Sequence, residues 1–568
     1  MLIITSSLNA ISFRNTPNSL SLEKGEFEIK NFEIKISEKD IKKFKEEQNI
    51  LINESNSIFS SIDKNKIPYY VYHTTFPLGT DIVDVECSNL KLNTNGGWFS
   101  YTTGAGIKNE ERVTLLSIQF YPIPGEDKKS NLVKDIDVQV RYKLASTKNN
   151  NEEDYKLLIL APAVFKKSLQ KLVEHKNSHD FPTRLVTLSE IYSDKYFEIE
   201  GRDKAEEIKY FIYNAYKNWN ISYVLLVGNI NRFPMRSTWI GFGNNVHSPL
   251  TDLYYADICF PDGSFCSWDS NNNGYYGEKL HEGETDLVDL YPDVYIGRLA
   301  CNNIYEVIVV VNKIVSYETN AYGAEWANNI ILAGGDTHPY HNNFLEGEFL
   351  IEKIKDVIPS MNHIFLKTSD GTYSAESLNN QLNAGAGFLC YSGHGFETGL
   401  GTHPPNSDEW IDYNFFDSFS LKNKDKLPIM FFSACLTARL DYNVLNGVAD
   451  LIYSLNDNPR LEKPELSFPI LFPCFAWRMV SMQKGGAIAT IGATRVSYGL
   501  IDSSGVRGGC CYLALKFFES YQTSEYLSQM LVSAKNDYID NVSWLNPLIV
   551  QEFILLGDPS LKIGGYAE

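Results

Sequence analysis

From about residue 155 onward the chain alternates apolar runs with stretches of helical period, and that rhythm leaves few folds open. The runs 155–161, 184–188, 223–228, 294–299, 329–335, 363–367, 387–391, 428–433 and 487–492 read as strands, most of them apolar on both sides. Such strands belong inside mostly parallel sheets covered by helices on both faces. Between them, 163–175, 203–219, 303–319, 344–357, 375–382 and 473–483 carry one-sided helical spacing, and 508–521, 524–537 and 547–555 are expected to close the chain as helices. The pattern specifies an α/β architecture with a mostly parallel sheet flanked by helices. It restarts near residue 323, which divides it into sub-domains 151–322 and 323–568.

Residues 1–150 follow a different rule. Short alternating runs at 27–36, 69–75, 84–91, 98–103, 113–121 and 136–144 predict a β-rich domain, with one helix expected at 38–47. The segment STKNNNEEDYK, polar and without periodicity, reads as the linker out of it.

Charge and cysteine use narrow the function classes. With 51 Lys and Arg against 70 Asp and Glu, the 568-residue chain carries a net charge of −19. A nucleic-acid partner requires a basic face to replace counterions, and none is offered. The longest apolar segments are broken by charge or Asn, so no membrane span is expected. The N-terminus lacks a basic region and a sustained apolar run, so no signal peptide is read there. Nine cysteines without CxxC spacing leave at least one free thiol. The compartment expected is cytoplasmic, or extracellular if a leader was trimmed. Cys259 and Cys266 are the pair spaced to bridge in an oxidising setting.

In open α/β sheets, reactive groups gather beyond the carboxyl ends of strands. GAGFLCYSGHG puts His394 directly after a buried strand, between two glycines, and KLPIMFFSACLTA puts Cys435 directly after the next. One crossover with a short helix at 410–420 would make the two strands neighbours and bring an imidazole beside a thiol. That pairing serves acyl transfer, because the imidazole can take the thiol proton. Backbone N–H groups of Gly395 and Cys435 could hold the oxyanion. Asp336, ending ILAGGD, is placed to orient the histidine. Taken alone, a cysteine after an apolar run is usually a buried structural thiol, and a strand-end Asp usually caps a helix. The argument rests on the coincidence of the residues.

Two acidic features call for separate readings. In WDSNNNGYYGE, Asp269, Asn271 and Asn273 alternate before Gly274, with the Tyr275 carbonyl and Glu278 following. This is the opening of a calcium-binding oxygen cage without the usual twelfth-position Glu, and equally a solvated Asn/Gly turn. Glu346 and Glu348 open a helix soon after Asp336, and Asp502 lies in a loop after the strand that follows the cysteine strand. Each is either local helix and loop charge or the floor of a substrate pocket. The long polar loop 441–468 has the length of a lid.

YSGHGFETGLGTH followed by FFSACLTARLD resembles the gingipain family of cysteine peptidases, which share the caspase-like α/β fold. TDLYYAD, WDSNNNGYYGE, DLVDLYPDVYIGRLA, ILAGGD and LLGDPSLKI extend the resemblance over roughly 155–563. It implies polypeptide substrates, with Cys435 as nucleophile, His394 as base and acid, and Asp336 as the orienting carboxylate. It makes structural calcium plausible at the Asp269 loop and makes 1–150 comparable to a prodomain, so that the protein is made as a zymogen. It also implies cleavage after Lys or Arg, with Asp502 the first candidate for the pocket acid, Glu346 and Glu348 the alternatives, and Tyr498 packing on the substrate's aliphatic stem. The QACxG pattern of caspases is absent. A transpeptidase or ligase on the same fold, and a non-catalytic binding protein, are the rival outcomes.

Overall fold

The computed structural model describes residues 27–35, 70–88, 98–121, 135–144, 154–242, 245–340, 344–442, 473–503, 505–542 and 547–567. The helix expected at 38–47, residues 146–153 of the linker and most of the loop 441–468 lie outside them.

Ten strands form one sheet at the centre. Their order is 362–367, 329–334, 388–392, 429–433, 489–493, 553–556, 295–299, 223–227, 157–161 and 183–187. Nine of these were legible as apolar runs, and several, such as Leu157–Ala161, Tyr223–Val227, Phe388–Ser392 and Ile429–Ser433, are buried along their whole length. Neighbours pair in parallel everywhere except at one joint, where Ala489–Ala493 runs antiparallel to Phe553–Leu556. The sheet is therefore two parallel half-sheets of opposite direction. The carboxyl ends of one half share an edge with the amino ends of the other.

The joint strand is a correction to the sequence reading, which gives 547–555 to a helix. The helix covers Pro547–Glu552 only, and Phe553–Leu556 continues as strand. PLIVQEFILL is apolar enough to suit either, and burial between two sheet halves decides for the strand. A second correction concerns 410–420. In place of a helix, Ile411–Asn414 is a strand, followed by a short 3-10 turn at Asp417–Ser420. It completes a small antiparallel sheet with His394–Phe396 and Gly399–Thr402. Helices Lys166–Ser178 and Ile304–Asn320, and helices Gly509–Glu519 and Leu527–Asn541, pack against one another and cover the large sheet.

Several motifs that stand out in the sequence serve this frame. Asp558 of GDPSL and Glu318 clamp the fully buried Lys176 ammonium at 2.9 and 2.7 Å. Asp252 of TDLYYAD pairs with the buried Arg298 at 2.6 Å. Asp293 accepts the N–H groups of Ile258 and Cys259 at 2.7 and 2.9 Å. Cys259 and Cys266 are both free thiols.

The N-terminal region is β-rich, as its alternation requires. Strands Glu28–Lys35, Asp135–Lys143 and Asp81–Ser88 form one antiparallel sheet, and Tyr70–Pro77, Glu111–Tyr121 and Trp98–Lys108 another. Ile34, Phe76, Val85, Ile118, Phe120 and Val138 are buried together in its core. Its hairpin turn at Asn109 and Glu110, both with positive φ, reaches the large sheet. There the Glu110 carboxylate accepts the Tyr223 hydroxyl at 2.7 Å, and its N–H donates to the Tyr295 hydroxyl at 3.4 Å. Tyr223 and Tyr295 are the first residues of their strands.

Candidate active site

Parallel pairing sets the geometry. Ser392 is level with Ser433, so His394 and Cys435 each lie two residues beyond paired neighbours on adjoining strand ends. The approach is close enough that a Cβ on Gly395 would sit 2.3 Å from the Cys435 carbonyl oxygen. Glycine is therefore required there for the two turns to meet. Beyond Cys435 the chain turns sharply, with Leu436 at φ +56°. A leucine in the left-handed region is strained by about 1–2 kcal/mol. The strain is held by backbone bonds from Leu436 N–H to Arg495 and from Ala438 N–H to Ala493, at 3.0 and 2.9 Å. The oxyanion candidates, the N–H groups of Gly395 and Cys435, belong to these two touching turns.

The Cys435 sulfur is bracketed by one residue that the sequence reading did not single out. Its S–H donates to the Ser497 carbonyl at 3.2 Å, and the Ser497 N–H donates back to the sulfur at 3.3 Å. Burial pushes the thiol up to about 12, against the smaller opposing effect of the Ser497 N–H. Beside Ser497 lies Glu552, fully buried, with neither carboxyl oxygen hydrogen-bonded among the described residues. Desolvation pushes its pKa well above the ordinary carboxyl range, against the smaller opposing effects of the Ser497 side chain and Arg495.

His394 donates from Nε2 to the Thr337 carbonyl at 2.7 Å. A carbonyl only accepts, so Nε2 carries the hydrogen and Nδ1 is left as the base. The ring is held below its usual titration range, first by burial, with His338 and His403 adding to that effect and the Thr337 carbonyl and Glu346 opposing it. The Asp336 carboxylate is turned to the His338 N–H at 3.0 Å, and its backbone bridges that of His403 at 3.1 Å in both directions. Asp336 thus holds the segment whose next carbonyl orients the histidine. Thr337 could not have been read from the sequence, because it acts through its backbone.

The pocket acids are placed differently from one another. The Glu346 carboxylate accepts the N–H and hydroxyl of Thr337 at 3.2 and 2.7 Å, next to His394. Glu348 is buried and takes up the Ser369 N–H and hydroxyl at 2.8 and 2.6 Å. Asp502, on the hairpin strand Gly499–Asp502, is ion-paired with Arg507. Tyr498 is 38% exposed, follows Ser497, and meets the His247 ring edge-on at 5.9 Å.

At the loop, Asn271 and Asn273 amides converge on one Glu278 oxygen at 3.3 and 2.7 Å, and Asp269 accepts the Asn273 N–H at 3.0 Å. The other Asp269 oxygen is paired with Arg202 at 2.6 Å. Tyr275 donates its N–H to the Asn273 side chain at 2.9 Å. The Asp269 and Glu278 oxygens are thus taken up by N–H donors, and no group of three or more His, Cys, Asp or Glu side chains placed to hold a metal ion is found among the described residues.

Gingipain R2 of Porphyromonas gingivalis is 21% identical over 301 residues, covering 52% of this chain and 34% of that protein. Lys-gingipain of the same species is 22% identical over 365 residues, covering 60% and 16%. The chain thus spans about a third or less of the length of these relatives. A crystal structure of the Arg-specific cysteine proteinase gingipain R superposes with a TM-score of 0.50 at 16% identity, over 73% of this chain and 80% of that one, which is a likeness of fold. Residues 150–564 match the model of peptidase family C25, and with that span covered the chain belongs to peptidase family C25.

Proposed function

We propose that the chain is a cysteine endopeptidase acting through Cys435 and His394. The observation that carries the reading is the contact of the two strand-end turns, Gly395 against the Cys435 carbonyl, on a backbone strained at Leu436. In the reaction the sulfur adds to the peptide carbonyl carbon and its proton passes to Nδ1 of His394. The C–N bond then breaks, the electron pair leaves with nitrogen, and His394 returns the proton to that amine. Water attacks the remaining thioester, with His394 again taking and returning a proton, which frees the acid and the thiol. Asp336 and Thr337 act as positioning residues. Cys435→Ala should abolish turnover with little change in thermal unfolding. Residual cleavage by that variant would overturn the assignment.

A basic residue before the scissile bond is the second part of the proposal. A carboxylate in a partly desolvated pocket rewards a cation and rejects an anion. Glu346 is favoured for this role, since it stands beside His394, whereas Asp502 is balanced by Arg507. Glu346→Gln should cost kcat/KM for Lys and Arg substrates far more than for neutral ones, and equal losses would make it structural. The third part is latency. The N-terminal β region reaches Tyr295 and Tyr223 on the sheet edge that also carries Cys435, three and four strand spacings or about 14 and 19 Å away. Cleavage within 145–153 should therefore raise activity. The Asp269 loop is the proposed calcium site, on the carboxylates of Asp269 and Glu278, whose oxygens here accept the Asn273 N–H groups.

A further inference from the structure

Between the histidine and cysteine strands the chain makes an excursion that the chemistry does not call on, and it carries exposed aromatic surface to the side of His394. Trp410 lies with its ring centroid 5.2 Å from that of His394, 4.0 Å from His403 and 5.8 Å from Phe396. It is 46% exposed, and Phe396 is 39% exposed. The indole is fixed from below, because a Cβ on Gly401 would come within 2.9 Å of its ring. Gly401 is in turn held by its carbonyl, which accepts the Tyr391 hydroxyl at 2.7 Å. An indole half open to water but locked by packing loses little further entropy on binding, which suits it as a recognition surface.

Its position relative to the reaction says which part of a substrate it meets. Cys435 keeps the acyl half of the substrate. His394 protonates the departing amine, so the residue that begins the leaving half must lie against the histidine. Trp410 and Phe396 flank that ring.

We infer that Trp410, with Phe396, forms the subsite for the residue immediately after the scissile bond and selects an aromatic or large apolar side chain there. The inference rests on Cys435 and His394 being the reacting pair. The same surface governs the reverse approach, in which an amine in place of water attacks the thioester, its nitrogen bonding to the carbonyl carbon as the C–S bond breaks and its proton passing through His394 to the leaving sulfur.

The test is acyl transfer from a peptide ester carrying a basic residue, with phenylalanine amide and glycine amide competing as acceptors. The ratio of the two aminolysis products is internal to one acyl-enzyme, so it is unaffected by a general loss of rate. The wild type should favour phenylalanine amide by about tenfold, Trp410→Phe should keep most of that preference, and Trp410→Ala should bring the ratio near one. An unchanged ratio in Trp410→Ala, or no preference in the wild type, would overturn the subsite. A wild type that, both intact and after cleavage within 145–153, neither turns over the ester nor is labelled at Cys435 by a peptide chloromethyl ketone would instead remove the Cys–His reading, and the subsite with it.

Discussion

The resting state of Cys435 can be tested before any substrate is known. Burial pushes its thiol from 9.0 to about 12. At neutral pH the thiolate is then about a thousandfold rarer than in an open thiol, a difference of about 4 kcal/mol. The histidine does not offset this, because burial and the two neighbouring imidazoles hold His394 below its usual range. The pair should therefore rest as neutral thiol and neutral imidazole, with the proton moving only as sulfur attacks. Alkylation by iodoacetamide, followed at Cys435 by peptide mapping between pH 5 and pH 10, reports the thiolate directly. The rate should rise tenfold for each step of one in pH through about pH 10, without a plateau. His394→Gln should show the same slope. A plateau with a midpoint below pH 8 would mean a standing thiolate–imidazolium pair and would refute the argument from burial.

Gly395→Ala should lower kcat/KM by about a hundredfold or more, since the added methyl meets the Cys435 carbonyl at 2.3 Å and parts the two turns; near-wild-type kinetics would show that the turns need not touch. Glu552 is raised well above 4.5 in the folded chain, so its contribution to stability is fully present below 4.5 and is lost as pH rises. Glu552→Gln should therefore raise Tm by about 1–2 °C at pH 8 relative to its effect at pH 5, and a decrease at pH 8 would mean that the carboxyl has an ionised partner. Chelation should lower Tm if the Asp269 loop holds calcium, and Asp269→Asn should remove that response; no response to chelator would leave the loop as an Asn/Gly turn.

What was legible in the sequence was whatever burial writes into it. Strands covered on both faces must be apolar throughout, so their ends, and the reactive residues just past them, could be located without coordinates. The segment 410–420 was misread because Tyr413, Phe415, Phe416 and Phe419 recur at helical intervals, while pairing with Gly399–Thr402 draws it into a strand. Thr337 and Ser497 touch His394 and Cys435 through backbone atoms, which leave no mark on residue identity. Glu552 lies in a helix, where an acid ordinarily reads as surface, and only the closure of the sheet over it makes it buried. The acids of GDPSL and TDLYYAD stand out as strongly as any catalytic residue, yet they hold Lys176 and Arg298 in the frame.

The antiparallel joint decides more about function than its four residues suggest. Strands Ile429–Ser433 and Phe388–Ser392 end at the edge where Tyr295–Leu299 and Tyr223–Val227 begin, because Phe553–Leu556 runs parallel to Tyr295–Leu299 and against Ala489–Ala493. Register carries this across the sheet: Ala493 is level with Phe553, and Phe431 with Ile491. Were all ten strands parallel, Tyr223 and Tyr295 would open on the edge away from Cys435. Glu110 would then tie the N-terminal β region to the wrong side of the molecule. The reversal puts that region on the same edge as Cys435 and His394, and the region is held there by more than its hairpin turn: the Ser117 hydroxyl donates to Asp540, the Ala105 N–H to Asp289 and the Ile107 N–H to the Pro292 carbonyl, at 3.2, 2.8 and 2.9 Å.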